Sequence, residues 1–184
     1  MRALHILCVI CGLFGAVVPA FGDQKDPRLD DLFASLQRVA EPATAARIEQ
    51  QIWIIWLETS DRDAAALLST GSRQMSRGDY ADALETFDKL VKLAPDFAEG
   101  WNKRATVLYL MDDLRRSLED IARTLELEPR HFGALSGRGL VHIKRDDLER
   151  ALKAFEETLV VHPLMPGPRA NIEAIRKVLK SREI

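Results

Sequence analysis

The sequence predicts an all-α solenoid, in which helix-turn-helix units stack side by side into a right-handed superhelix. Three observations predict it. The chain matches itself at a shift of 34 residues. Within each 34-residue unit the apolar residues recur at helical spacing. A proline closes every unit, at Pro95, Pro129 and Pro163. The chain of 184 residues is 47% apolar and 29% charged, enough to bury one core without disulfides. Its formal net charge of −2 provides no basic field for nucleic acid.

The first element is the segment 1–22. Met1-Arg2 carries a positive charge, Ala3 to Val18 is apolar apart from His5, and Pro19-Ala20-Phe21-Gly22 leads into a polar stretch. This pattern predicts a cleaved secretory signal, with cleavage after Ala20 or Gly22. The apolar run is short for a membrane span, which needs roughly 20 residues, so an N-terminal anchor is the alternative. The expected location is periplasmic or secreted. Cys8 and Cys11 are the two cysteines of the chain, and both lie in this segment. Removing it leaves 25 basic residues against 28 acidic ones and no thiol.

Residues 23–63 form the second element, a helical extension. Arg28 to Val39 places Leu29, Leu32, Phe33 and Leu36 on one side. Pro42 opens a second helix, which ends in the run Ile52-Trp53-Ile54-Ile55-Trp56-Leu57. A helix apolar all round is not a plain surface helix. Trp53 and Trp56 are therefore expected to pack on the first repeat unit and on the helix at 28–39; a partner-docking surface at these tryptophans, or contact with a membrane surface, is the alternative.

The third element is the array itself, 64–97, 98–131 and 132–165. Leu67, Trp101 and Leu135 align, and are expected to fill space between helices with Phe87, Ile121 and Phe155. Gly71, Ala105 and Gly139 are small where two helices approach, facing Ala83, Ser117 and Ala151. Asp79, Asp113 and Asp147 stand where each second helix begins and are expected to cap it. Asp61 does the same for the first helix. The last element, 166–184, is a capping helix with Ile172, Ile175 and Leu179 as its apolar stripe.

These columns identify the units as similar to the tetratricopeptide repeat. The copies depart from it at the turn, where Gly78 is followed by Asp112 and Asp146, and mid-helix, where Gln74, Leu108 and His142 replace the usual aromatic. The mature chain resembles a group of exported bacterial tetratricopeptide proteins. The residues that carry this are Leu29-Asp30-Asp31-Leu32-Phe33, the 52–57 run, Trp101-Asn102-Lys103-Arg104-Ala105 and His131-Phe132-Gly133-Ala134-Leu135-Ser136-Gly137.

The resemblance implies a ligand groove on the inner side of the first helices. By position it consists of Leu68, Ser72 and Met75, then Asn102, Thr106 and Tyr109, then Ser136, Leu140 and Ile143. This mixed apolar, hydroxyl and amide lining suits a peptide segment, and the protein's own N-terminal segment is the alternative occupant. The Lys/Asn set that grips chaperone C-termini in some relatives is missing.

The expected function is therefore a scaffold or protein-interaction module for another envelope protein. The alternatives are self-assembly through the Trp-rich helix, or a small-ligand pocket between the extension and the array. Arg104 and Arg138 align across repeats, with Asp120 and Glu119 between them, which predicts a register-fixing ion pair or an anion site. His131, His142 and His162 are not spaced as metal ligands, and the Asp pairs precede helices, as caps do. Neither catalysis nor a cofactor is expected.

Overall fold

The structure is a computed structural model that describes residues 23–182. The expected signal at 1–22 lies outside the described residues. Among them are nine helices: α1 Arg28–Arg38, α2 Pro42–Leu57, α3 Arg62–Arg77, α4 Tyr80–Leu93, α5 Ala98–Leu110, α6 Leu114–Leu127, α7 Phe132–Lys144, α8 Leu148–Val161 and α9 Pro166–Arg182. No strand occurs among the described residues. None of these helices is long and apolar enough to cross a membrane. The pairs α3–α4, α5–α6 and α7–α8 are antiparallel hairpins that stack in order, and α9 packs on α8.

The hairpins are tight because small and large residues are matched. A Cβ built on Gly71 would lie 2.6 Å from Phe87, and one on Gly139 would lie 2.6 Å from Phe155. Both phenylalanines are fully buried. In the middle hairpin Ala105 faces the smaller Ile121, so the lost ring is compensated by a methyl. Ser117 is buried in the same hairpin and donates its hydroxyl to Ala105 O at 2.9 Å.

The turns within all three hairpins pass through the left-handed region, at Gly78 (φ 85°), Asp112 (φ 65°) and Asp146 (φ 55°). Asp113 and Asp147 accept from the backbone N–H of Arg116 and Arg150, as caps do. Asp79 differs from expectation: it occupies the cap position but its carboxylate accepts no capping bond.

Two packing expectations are corrected. Trp101 and Leu67 are only half-buried, and Leu135 alone of that column is interior. The Trp101 indole lies at the edge, donating to Pro95 O at 2.9 Å beneath the Arg104 guanidinium. The ion-pair expectation also changes. Arg104 bridges Asp120 and Asp88, tying the first two repeats together, while Arg138 turns to Glu157 inside its own hairpin. Asp120 is nearly fully buried and takes a two-pronged bond from Arg104.

The tryptophans of the extension pack on α1 as expected, with Trp56 against Phe33, but not on the first repeat. Helix α1 runs along the inter-repeat loops: Gln24, just before it, donates to Asp96 O, Asp30 pairs with Arg130, and Gln37 donates to Val160 O and Val161 O. Helix α2 returns antiparallel to it and packs its tryptophans on Phe132 and His131, at the start of the third repeat. Leu29, Phe33, Leu36, Ile52, Ile55, Trp56 and Phe132 share one apolar core. The reason lies in the third repeat. His131 and Phe132 present flat ring faces, and Gly133 leaves room, since a Cβ there would stand 2.6 Å from the Trp53 ring. Ile54 and Leu57 of the apolar run remain exposed.

Candidate functional site

The residues expected to line the groove divide in the structure. Asn102, Thr106 and Tyr109 of α5 and Ser136 and Leu140 of α7 meet around one cleft of about 270 Å³. Its floor is Ala105, Ile121 and Val141, and Met165 closes one side. Ile143 instead packs toward α8 and α9. In the first repeat Leu68 and Met75 belong to the packing of α3 on α4, and Leu68 is only 6% exposed. Ser72 is half-buried and lines no part of the cleft.

The cleft opens because α7 presents small residues inward. Gly137 is instructive. A Cβ there would meet only Ile121 Cδ1, at an ordinary 3.8 Å, so packing does not demand a glycine. A helix-interior glycine costs about 1 kcal/mol relative to alanine. What the missing methyl provides is space in the cleft.

The polar groups at the rim are partly engaged. Asn102 Nδ2 donates to Glu99, and Thr106 donates its hydroxyl to the carbonyl of Asn102. Lys144 sits over the Tyr109 ring at 4.4 Å.

Gly133 and Met165 line the cleft and also touch the docked extension. A buried polar cluster anchors it. Glu99 is 1% exposed and accepts from Asn102 and from His131 Nε2, at 2.9 and 3.0 Å. Lys103 Nζ lies 3.1 Å from its other oxygen, an ion pair without hydrogen-bond alignment. Burial alone would raise the Glu99 carboxyl, but the His131 bond and the Lys103 charge hold it below the ordinary glutamate value. His131 Nδ1 accepts from Ala134 N, so the ring's proton sits on Nε2 and is donated to Glu99.

Trp56 stacks on the His131 ring at 4.1 Å, nearly parallel. Its buried Nε1 has no hydrogen-bond partner, which costs about 1–3 kcal/mol. Burying roughly 200 Å² of indole contributes about 5 kcal/mol, so burial wins. A second link is His162 to Glu49 at 3.1 Å, with Trp53 Nε1 also donating to Glu49. Glu49 is held below its ordinary value, chiefly by the His162 bond.

The tetratricopeptide repeat family model matches residues 68–112 and 102–166, more than half of the chain. The chain belongs to the tetratricopeptide repeat family. A TPR repeat-containing protein of Rhizobium etli is 38% identical over 110 residues, covering 60% of this chain and 54% of the relative. A tetratricopeptide repeat protein 36 homolog of Nematostella vectensis is 34% identical over 64 residues, 35% of each chain. The chain thus spans about half or less of the length of these curated relatives.

Among solved structures, the first TPR of Spaghetti (RPAP3) bound to an HSP90 peptide superposes with a TM-score of 0.63 at 20% identity, covering 66% of this chain and 97% of that one. MamA gives 0.62 at 21%, with 77% and 81% covered. The TPR2B domain of yeast Sti1, in a complex with pHsp70, gives 0.60 at 17%, with 66% and 99% covered. These likenesses show the fold.

In this tetratricopeptide array only one of the two tryptophans singled out as a docking surface is interior. Trp56 is 1% exposed and Trp53 is half-buried between His131 and Lys103. That arrangement gives Trp56 no outer face for self-assembly. Sequence reasoning missed Glu99 and the role of His131. Both signals were present: a glutamate on the inner face of a first helix, and a histidine directly before Phe132-Gly133. Among the described residues no group of three His, Cys, Asp or Glu is placed to hold a metal ion.

Proposed function

We propose that this protein is an interaction module that holds a segment of another exported polypeptide in the cleft between α5 and α7. The observation that carries this reading is the cleft itself: an apolar floor, an amide and three hydroxyls at its rim, and a glycine that packing does not require. Spaghetti and Sti1, which share the fold, are held with an HSP90 peptide and with pHsp70. The cleft here has no cluster of cations, so its occupant is an apolar side chain presented by a peptide backbone rather than a terminal carboxylate. A volume of about 270 Å³ admits one or two such side chains. The proposed role is binding, without a reaction.

The test is photo-crosslinking from position 109 in intact cells. A single captured protein, lost when Ser136→Arg fills the cleft, is the expected result. Unchanged capture in that variant would refute the cleft.

Export to the envelope is the second half of the proposal, supported by the charge, apolar run and small residues of 1–22. N-terminal sequencing of the protein from a periplasmic fraction should begin at Phe21 or Asp23. Recovery of an intact chain in the cytoplasm would overturn it.

A further inference from the structure

The outer side of the third repeat carries a polar arrangement that differs from the other two. Position 142 is two residues from Leu140, about 200° around α7, so it faces away from the cleft. Gln74, Leu108 and His142 align at 34-residue steps, as do Thr86, Asp120 and Ala154 on the second helices. In the first repeat these two columns satisfy each other: Thr86 Oγ1 donates to Gln74 Oε1 at 2.8 Å. In the second, Leu108 needs nothing and Asp120 takes Arg104. In the third, a histidine faces an alanine methyl, and the internal partner is gone.

His142 is 8% exposed, and its Nδ1 is enclosed with no hydrogen-bond partner. The nearest carboxylate, Asp147, is 3.9 Å away. Nε2 also makes no hydrogen bond among the described residues and, unlike Nδ1, is not enclosed. The ring lines a pocket of about 220 Å³ with Arg138, Arg150, Lys153, Ala154 and Glu157. Three cations therefore surround one carboxylate. Arg138 pairs with Glu157 and Arg150 with Asp147, while Lys153 has no ion-pair partner among the described residues. Each guanidinium keeps donors beyond the one it gives its acid.

We propose that this pocket binds a phosphoryl-type oxyanion, as free phosphate or on a phosphorylated side chain, between Lys153, Arg150 and Arg138, with His142 donating a hydrogen bond. Cations reaching in from two helices suit a tetrahedral anion; a flat carboxylate is satisfied by a single arginine fork. The electrostatics around the ring agree. Burial pushes the His142 imidazole below its ordinary value; Asp147 opposes this, and Arg150, Arg145 and Arg138 add to it. A bound dianion reverses that field. With Arg138 on α7, Arg145 just after it, and Asp147, Arg150, Lys153 and Glu157 around α8 as the charged surroundings, anion binding takes up a proton at His142. Affinity then rises as the pH falls through the imidazole range.

The experiment is an NMR titration of the protein, following the assigned His142 ring signal, with inorganic phosphate, phosphoserine, and chloride at matched ionic strength. Saturable movement with phosphate, absent with chloride, is expected. Lys153→Glu, at an exposed position, should weaken it about tenfold. Equal affinities identify a free-anion site, and a clear preference for phosphoserine identifies a phosphorylated segment. Movement no larger than that with chloride, or full affinity in Lys153→Glu, overturns the proposal.

Discussion

The match of small to large residues across each hairpin can be tested by moving one repeat's solution into another. Gly139→Ala places a Cβ 2.6 Å from two Phe155 ring carbons, where ordinary contact begins near 3.4 Å. Phe155 is fully buried and cannot swing out. Overpacking of this kind costs about 1–3 kcal/mol, with the upper end expected for so short a contact. Better helix propensity returns about 1 kcal/mol. The net prediction is about 1–2 kcal/mol of destabilisation. Phe155→Ile alone leaves a hole and costs roughly 1–2 kcal/mol. The double variant recreates the Ala105–Ile121 pair of the middle hairpin, so the two changes should compensate by about 1–2 kcal/mol. Urea unfolding followed by far-ultraviolet circular dichroism measures all three. A Gly139→Ala variant as stable as its parent, or a double variant with purely additive losses, would refute the steric argument.

Glu99→Gln removes the charge that His131 and Lys103 stabilise and should cost about 3 kcal/mol at neutral pH, read from the same urea midpoints. Because the Glu99 carboxyl is held below its ordinary value of 4.5, its stabilisation is present above that pH and is lost as pH falls through the lower folded-state value. The acid limb of the stability profile should therefore be shallower in the variant; an unchanged limb would place the titration elsewhere. Trp53→Ala deletes the edge-to-face contacts with Trp56, His131 and Phe132, and limited proteolysis should then cut between residues 23 and 60 while the array stays intact. Asp146→Gly relieves a left-handed residue and should raise stability by about 0.5–1 kcal/mol, less the exposed pair with Arg182, in a thermal melt.

The array was legible because its determinants are local and repeated three times. A 34-residue step fixes where Gly139 meets Phe155, and the helix starts at Ala98, Phe132 and Pro166 keep that step. The docking of the extension was not legible, because it depends on which repeat offers a surface for two indoles. His131-Phe132-Gly133 carries that information, yet it reads as ordinary helix-start sequence until Trp53 is placed against it. Half of the expected groove came together, at Asn102, Thr106, Tyr109, Ser136 and Leu140. Leu68, Ser72, Met75 and Ile143 were carried over from the resemblance by their position in the repeat. Periodicity gives the face of a helix but not what the neighbouring hairpin does with it. Trp101 misled for a related reason: its column aligns it with Leu67 and Leu135, but an indole N–H needs an acceptor, and Pro95 O at the edge supplies one.

The three ties from Gln24, Asp30 and Gln37 fall on successive joints of the superhelix. An untethered stack of repeats can wind and unwind like a spring, since each unit touches only its neighbours. Here a splint crosses every hinge on one edge, so pitch and curvature are set before any guest arrives. Such a frame gives up adaptability to many differently shaped guests, and it spares the one it fits the entropy of stiffening a loose coil.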